Sequence, residues 1–231
     1  MELTPRLKTV YDMLSGGDVL VDVGCDHGYL PAAALIRGKY ARAVASDINE
    51  GPLSSARQNI ASLGLDDRCS FVLCDGLTGV AVPDGDYSVA VCGMGGDLIA
   101  SILDASGEHK IRASSFVLQP MSKACRLRKY LFENGFGVSL ERYVFEGERA
   151  YTVMKAAYTG ADTEYAEPEL YLGKREAREA SASTLKKLER FHGKHRALRH
   201  SLSLSGHDSS FEDMLVRAAE EEIKYTREIL K

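Results

Sequence analysis

The chain has 231 residues, 45% hydrophobic and 27% charged, a composition that buries a sizeable core in one large domain or a medium domain plus a small one. A net charge of −4 argues against a uniformly basic nucleic-acid binder. No apolar run approaches the roughly 20 residues of a membrane span, and the first eleven residues lack the apolar stretch of a secretory signal. Five cysteines and six histidines, without Cys-x-x-Cys or zinc-site spacing, point to free thiols in a reducing cytoplasm and to no metal site.

Residues 2–15 read as a helix. Thr4-Pro5 supplies an N-cap and a first-turn proline, and Leu7, Val10, Tyr11 and Leu14 form an apolar stripe. Gly16-Gly17-Asp18 turns the chain into a first strand, Val19 to Asp22. Gly24 breaks that strand, Asp26 and His27 occupy a loop, Gly28 relaxes it, and a helix runs from Tyr29 to about Arg37. The second strand, Ala41 to Asp47, is apolar without alternation, as suits a parallel sheet buried on both faces. A helix from Glu50 to Leu63 follows, closed by Gly64. Strand three, Cys69 to Cys74, ends at Asp75-Gly76. Strand four, Tyr87 to Cys92, ends at Gly93-Met94-Gly95-Gly96, and Leu98 to Leu103 lies in the helix after it. Strand five is Ser115 to Leu118 and stops at Gln119-Pro120. Lys123 to Asn134 is helical. Val138 to Phe145 and Ala150 to Ala156 bracket Glu146-Gly147-Glu148-Arg149 as a β-hairpin.

Composition shifts after Tyr158. Thr159 to Pro168 is a polar linker, and Arg175 to Leu204 then shows a long helical pattern with Leu185, Leu188, Leu198 and Leu202. A break at Ser205-Gly206-His207-Asp208 leads into a second helix edged by Phe211, Leu215, Ala218, Tyr225 and Ile229. Two such helices form an αα-hairpin, coiled-coil-like in its spacing. The expected division is residues 1–158 and 159–231. Charge is uneven: residues 172–205 hold nine Lys+Arg against three Asp+Glu, a footprint for an anionic partner or merely a solvated helix face.

Alternating β and α segments with polar residues at four successive strand ends predict a ligand site there, as in open α/β sheets. A dinucleotide loop would need Gly-x-Gly-x-x-Gly. Here Gly24-Cys25-Asp26-His27-Gly28 puts a carboxylate where a pyrophosphate would sit, which is unfavourable. S-adenosyl-L-methionine, with its sulfonium and amino-acid tail, suits the acidic loop. Asp22, Gly24, Cys25, Asp26, Gly28 and Tyr29 would form one wall. Asp47, about 20 residues past the glycine turn, would hold the ribose hydroxyls. Asp75 and Gly76 would meet the adenine amino group, and Ile48 or Leu77 would flank the ring. Gly93 and Met94 would face the methyl group.

Asp-Val-Gly-Cys-Asp-His-Gly-Tyr-Leu-Pro (residues 22–31), Asp75-Gly76-Leu77 and Cys-Gly-Met-Gly-Gly (residues 92–96) resemble the signatures of the bacterial TrmK family, tRNA (adenine-N1)-methyltransferases that modify adenine-22. Leu3-Thr4-Pro5-Arg6-Leu7 and Leu118-Gln119-Pro120 are similar too, and Cys25 stands where the family usually has serine. The resemblance implies a class I, Rossmann-like S-adenosylmethionine-dependent methyltransferase sheet with a C-terminal helical hairpin, acting on tRNA as a monomer or weak homodimer. Adenine N1 attacks through its in-plane lone pair, and the ring gains positive charge that a carboxylate would stabilise. Asp26 is the candidate for that role, or it binds the methionine amino group alone. His27 and Met94 complete the candidate catalytic set. Arg6, Lys123, Arg126, Arg128, Lys174 and Arg175 are candidate phosphate contacts. A small-molecule methyltransferase and a non-catalytic cofactor-binding RNA partner are the alternatives.

Overall fold

The computed structural model describes residues 2–231. Strands β1 (Gly17–Val23), β2 (Tyr40–Asp47), β3 (Cys69–Leu73), β4 (Tyr87–Gly95), β5 (Ser115–Ser122), β6 (Phe136–Glu146) and β7 (Arg149–Tyr158) form one sheet in the order β3-β2-β1-β4-β5-β7-β6. The first five strands are parallel, and β7 inserts antiparallel between β5 and β6. Sheet order reverses between β1 and β4, which opens a crevice at their C-terminal ends.

Alternation along the strands loads both faces. Leu20, Ala43, Ala45, Ala90 and Val117 pack on one side with α1 (Pro5–Met13), α2 (Tyr29–Ile36) and α3 (Glu50–Ser62). Val19, Val21, Val89, Val91, Phe116 and Leu118 pack on the other with α4 (Gly96–Asp104) and α6 (Ala124–Glu133). Fully burying each of the valine, leucine and phenylalanine side chains stabilises the fold by about 1.5–3 kcal/mol before chain entropy is set against it. Gly96 starts α4 where a Cβ would lie 2.5 Å from the Lys123 carbonyl oxygen, so only glycine lets these two segments approach.

Several boundaries differ from the sequence expectation. A short helix, α5 (Glu108–Arg112), precedes β5, and α7 (Glu167–Leu172) starts at the end of the expected linker and runs past it. Pro168 in the first turn of α7 and the Glu169 carboxylate, accepting from the Ala166 N–H at 2.8 Å, explain that second helix. The long helix, α8 (Ala182–Leu204), starts later than residue 175, because the Ser181 hydroxyl caps it by accepting from the Thr184 N–H at 3.1 Å. Residues before it turn instead. They bring Arg178 onto the carbonyls of Leu172 and Gly173.

Helix α8 packs against α9 (Ser210–Ile229) through Leu188, Ala219 and Ile223, with Leu185, Phe191 and Ala218 alongside. His195 stacks on Phe191 at 4.0 Å and meets the Glu212 carboxylate at 2.5 Å. Hydrogen bonds and ion pairs join this hairpin to the sheet by way of the segment ahead of α8. Arg128 on α6 contacts Glu141 on β6 at 2.5 and 3.0 Å and donates to the Leu170 carbonyl at 2.7 Å. Arg178 pairs with Glu222 on α9. The Glu141 main chain is engaged too: its N–H donates to Ala177 and its carbonyl accepts from Glu179.

Candidate active site

The C-terminal ends of β1 to β4 surround a cleft of about 470 Å³. Its first wall is the turn after β1. The N–H groups of Gly24 and Cys25 both donate to the Ser46 carbonyl, and Gly28 N–H closes the turn onto Cys25 at 2.7 Å. Gly24 takes φ +73° and Gly28 φ +67°, and a Cβ on Gly28 would press on Ala56 of α3 at 3.1 Å. Asp26, in the same turn, is one of two non-glycine residues with positive φ among those described. The other is Lys123, directly after β5. Both stand at strand ends on the cleft side of the sheet, where strained backbone often accompanies function.

Asp22 lies at the floor of the cleft and is buried. Burial, and then the neighbouring charge of Asp47, pushes its carboxyl up to about 7. Asp47 is also buried, and one of its oxygens accepts from the Asn49 N–H at 2.9 Å. Two close carboxylates in a shielded floor disfavour an anion and favour a ligand that brings positive charge. Burial raises the Cys25 thiol to about 12, helped by Asp22 and Asp47, and raises Cys92 further. Both thiols are therefore protonated near neutrality and behave as small apolar lining.

The structure brings together Asp22, Gly24, Cys25, Asp26, His27, Tyr29, Asp47, Ile48, Asp75, Gly76, Gly93 and Met94. Gly28 stands one step behind, as the N-cap of α2. Asp26 presents its carboxylate to solvent with 75% of the side chain exposed, 3.6 Å from the His27 imidazole. Ile48 is 61% exposed, an apolar surface at the rim. The Met94 side chain reaches across to the space beside Gly24, where a Cβ would touch its methyl carbon. Leu77 is a correction. It is buried among Val80, Ile99 and Ile102 under the sheet and does not line the cleft.

The candidate phosphate contacts divide. Arg6 lines the cleft. Lys123 and Arg126 are exposed and share Asp97, at 2.5 and 3.6 Å. Arg175 is half-exposed and donates to Glu222 at 2.6 and 2.9 Å, and Lys174 donates to the Glu164 carbonyl at 2.6 Å. Arg128 is the second correction, with only 2% of its side chain exposed. Burial alone would weaken its charge, but Glu141 and Tyr143 more than offset that and raise its pKa. It is a structural cation and cannot reach a phosphate. Sequence reasoning passed over Cys74, Asn49, Leu98, Ile102 and Met121 as lining residues. They are ordinary apolar or turn residues, marked only by adjacency to the strand ends.

A parallel sheet that reverses order at β1 and β4, with an acidic cleft at the reversal, defines a Rossmann-like methyltransferase. A family model described as a methyltransferase domain matches residues 3–154. The tRNA (adenine(22)-N(1))-methyltransferase of Bacillus subtilis (strain 168) is 32% identical over 165 residues, covering 71% of this chain and 69% of that protein. The crystal structure of the B. subtilis tRNA methyltransferase TrmK superposes with a TM-score of 0.72 at 26% identity, over 100% of this chain and 99% of that one. M. capricolum TrmK, solved with S-adenosyl-homocysteine, shares the fold at 21% identity and a TM-score of 0.75, over 99% and 98% of the two chains. The chain belongs to the TrmK family of methyltransferases.

Proposed function

We propose that this protein transfers a methyl group from S-adenosyl-L-methionine to N1 of adenine-22 in tRNA. The observation that carries the reading is the pair of buried carboxylates, Asp22 and Asp47, at the floor of a cleft formed by four strand ends. That donor set fits a cationic amino-acid tail and a ribose diol, and it disfavours a diphosphate. The B. subtilis relative carries the same activity in its name.

The bound cofactor supplies a sulfonium methyl with a neutral leaving group, so orientation does most of the work. Asp22 accepts the positive tail, Asp47 holds the ribose hydroxyls, and Asp75 meets the adenine amino group of the donor. Ile48 covers the donor's ring, and the Gly24–Gly28 turn and Gly93–Met94 bracket the transfer path. Asp26, solvent-facing at the mouth, orients the exocyclic amine of the target base and balances the charge its ring acquires. His27, beside it, holds that carboxylate in place. Lys123 and Arg126 on the rim take phosphates, and Lys174 and Arg175 extend this toward the hairpin. Residues 1–158 act as the methyl-transfer domain and residues 159–231 as an appended hairpin domain. The protein acts as a monomer or weak homodimer. Free thiols and a tRNA substrate suit a cytoplasmic enzyme.

The test is methyl transfer from labelled S-adenosyl-L-methionine to unmodified tRNA, with the modified base mapped. The expected product is N1-methyladenine at position 22. A methyl on an exocyclic amine or on guanine refutes the assignment.

A further inference from the structure

Gln119 lies within β5, three residues from its end, with its side chain fully buried. Its Oε1 accepts two hydrogen bonds, from Arg6 Nη1 at 2.7 Å and from the Gly93 N–H at 3.1 Å. Its Nε2 donates to the Pro120 carbonyl at 3.0 Å and lies 3.7 Å from the Met121 sulfur. The amide is thus spent inside the protein and has little to offer a ligand directly. It ties together two cleft-lining groups that are far apart in sequence, Arg6 on α1 and Gly93 on β4.

Arg6 is fixed on other sides as well. Its guanidinium lies 5.7 Å from the centroid of the Tyr151 ring, and its backbone N–H donates to Glu146 at 2.9 Å. A Cβ on Gly93 would sit 4.0 Å from Arg6 Nη1, so the absence of a side chain there leaves the guanidinium beside open backbone. A guanidinium carries several N–H donors, and the bond to Gln119 uses one of them. The group that holds it is a neutral amide. A carboxylate in the same place would grip Arg6 more tightly and would also cancel its charge. A retained positive charge does not suit a base whose ring becomes cationic on N1 methylation. It suits a phosphate oxygen.

Resting on the tRNA-methylating reading above, we propose that Gln119 is a positioning residue for the RNA substrate. It holds the Arg6 guanidinium, with its charge uncancelled, on the open side of the cleft as the receptor for a backbone phosphate next to the nucleotide being methylated. Gln119 does not touch the substrate. It acts through Arg6 and, by the same oxygen, keeps the Gly93 amide in register.

Binding of unmodified tRNA is measured between about 50 and 200 mM salt, the range over which phosphate contacts separate from others. Arg6→Ala weakens binding about tenfold and lowers the salt slope by about 1, as loss of one phosphate contact requires. Gln119→Glu preserves both accepted hydrogen bonds but neutralises Arg6 and sets an acceptor oxygen against the Pro120 carbonyl, so it lowers the salt slope in the same way and lowers the thermal midpoint as well, while cofactor affinity stays near that of the unaltered protein. Gln119→Met frees Arg6 and, added to Arg6→Ala, causes no further loss of tRNA affinity. A purely structural Gln119 would leave the salt slope of Gln119→Glu unchanged, and that result overturns the proposal, as do independent losses in the double variant. If the unaltered protein binds no tRNA, the functional reading falls and the role of Gln119 with it. If it binds and methylates tRNA while Gln119→Glu and Arg6→Ala match it, only the role of Gln119 falls.

Discussion

Asp22→Asn tests the electrostatics of the cleft floor without changing its shape. In the cofactor-free protein, burial and then Asp47 raise the Asp22 carboxyl from the ordinary 3.8 to about 7. At about 1.4 kcal/mol for each tenfold change, keeping this group ionised in the folded state at pH 8 costs roughly 4 kcal/mol relative to the unfolded chain. A cleft open to water reduces that to roughly 2–4 kcal/mol. The sign is fixed by the direction of the change. A carboxyl that binds its proton more tightly when folded contributes most stability below its unfolded value, and loses that contribution as pH rises through the folded value. Asparagine removes the titration. Urea unfolding without cofactor should therefore find Asp22→Asn more stable than the unaltered protein at pH 8. The gap should shrink by about 1.4 kcal/mol for each pH unit below 7. A cationic tail bound against Asp22 reverses the preference, so calorimetry should find cofactor affinity of the unaltered protein falling up to about tenfold per unit below pH 7, with no such slope in the variant. A variant that is less stable than the unaltered protein at pH 8, or a gap independent of pH, refutes the reasoning.

Arg128→Met strands Glu141 in a buried site and should cost roughly 3–5 kcal/mol in denaturant unfolding, whereas adding Glu141→Leu should recover much of it. A single-variant loss below about 1 kcal/mol would mean that the pair is exposed in solution. Asp47→Ala should weaken S-adenosyl-L-methionine binding about tenfold or more while leaving the unfolding midpoint near that of the unaltered protein, because it removes both a ribose acceptor and a like charge from Asp22. Asp26→Asn separates the two roles open to that residue. A fall in turnover of about 10²-fold with unchanged cofactor affinity supports charge stabilisation at the target base, and weaker cofactor binding with normal turnover supports a tail-binding role alone.

The parallel strands were legible because they must be apolar on both faces. Val19 to Val23 and Ala43 to Ala45 carry that mark with little alternation. The acidic cleft was legible because Asp22, Asp47 and Asp75 fall where those runs stop, and the sheet fixes the rest. Arg128 was misread for a physical reason. A cation in an amphipathic helix pattern looks solvated, and its burial depends on Glu141, on the next strand, and on carbonyls about forty residues away. Leu77 was misread because it follows Asp75 in the chain, yet the turn at Gly76, φ +60°, sends it under the sheet. The late start of α8 was hidden for a related reason. Lys174 to Arg178 has helix-forming composition, but its side chains satisfy Glu164, Glu222 and the carbonyls at the end of α7 instead. Leu118-Gln119-Pro120 stood out as a strand end, but the tie from Gln119 to Arg6 and Gly93 arises only when α1 and β4 fold against it.

The main-chain bonds of Glu141 to residues 177 and 179 bear on how this enzyme can be divided. β6 is the last strand of the sheet, and an uncovered strand of that kind offers its N–H and C=O groups to any other extended chain. Here the segment just ahead of α8 lies along its middle in a parallel bridge, while Arg128 neutralises the Glu141 carboxylate below. A protein shortened after Tyr158 would lose that cover together with Leu170 and Tyr171, two of the carbonyls that hold Arg128. It would present a bare β-edge beside a buried charge pair missing part of its shell, a surface prone to self-association. The segment between β7 and α8 is therefore a guard against aggregation for the catalytic sheet as well as the link to the helical hairpin.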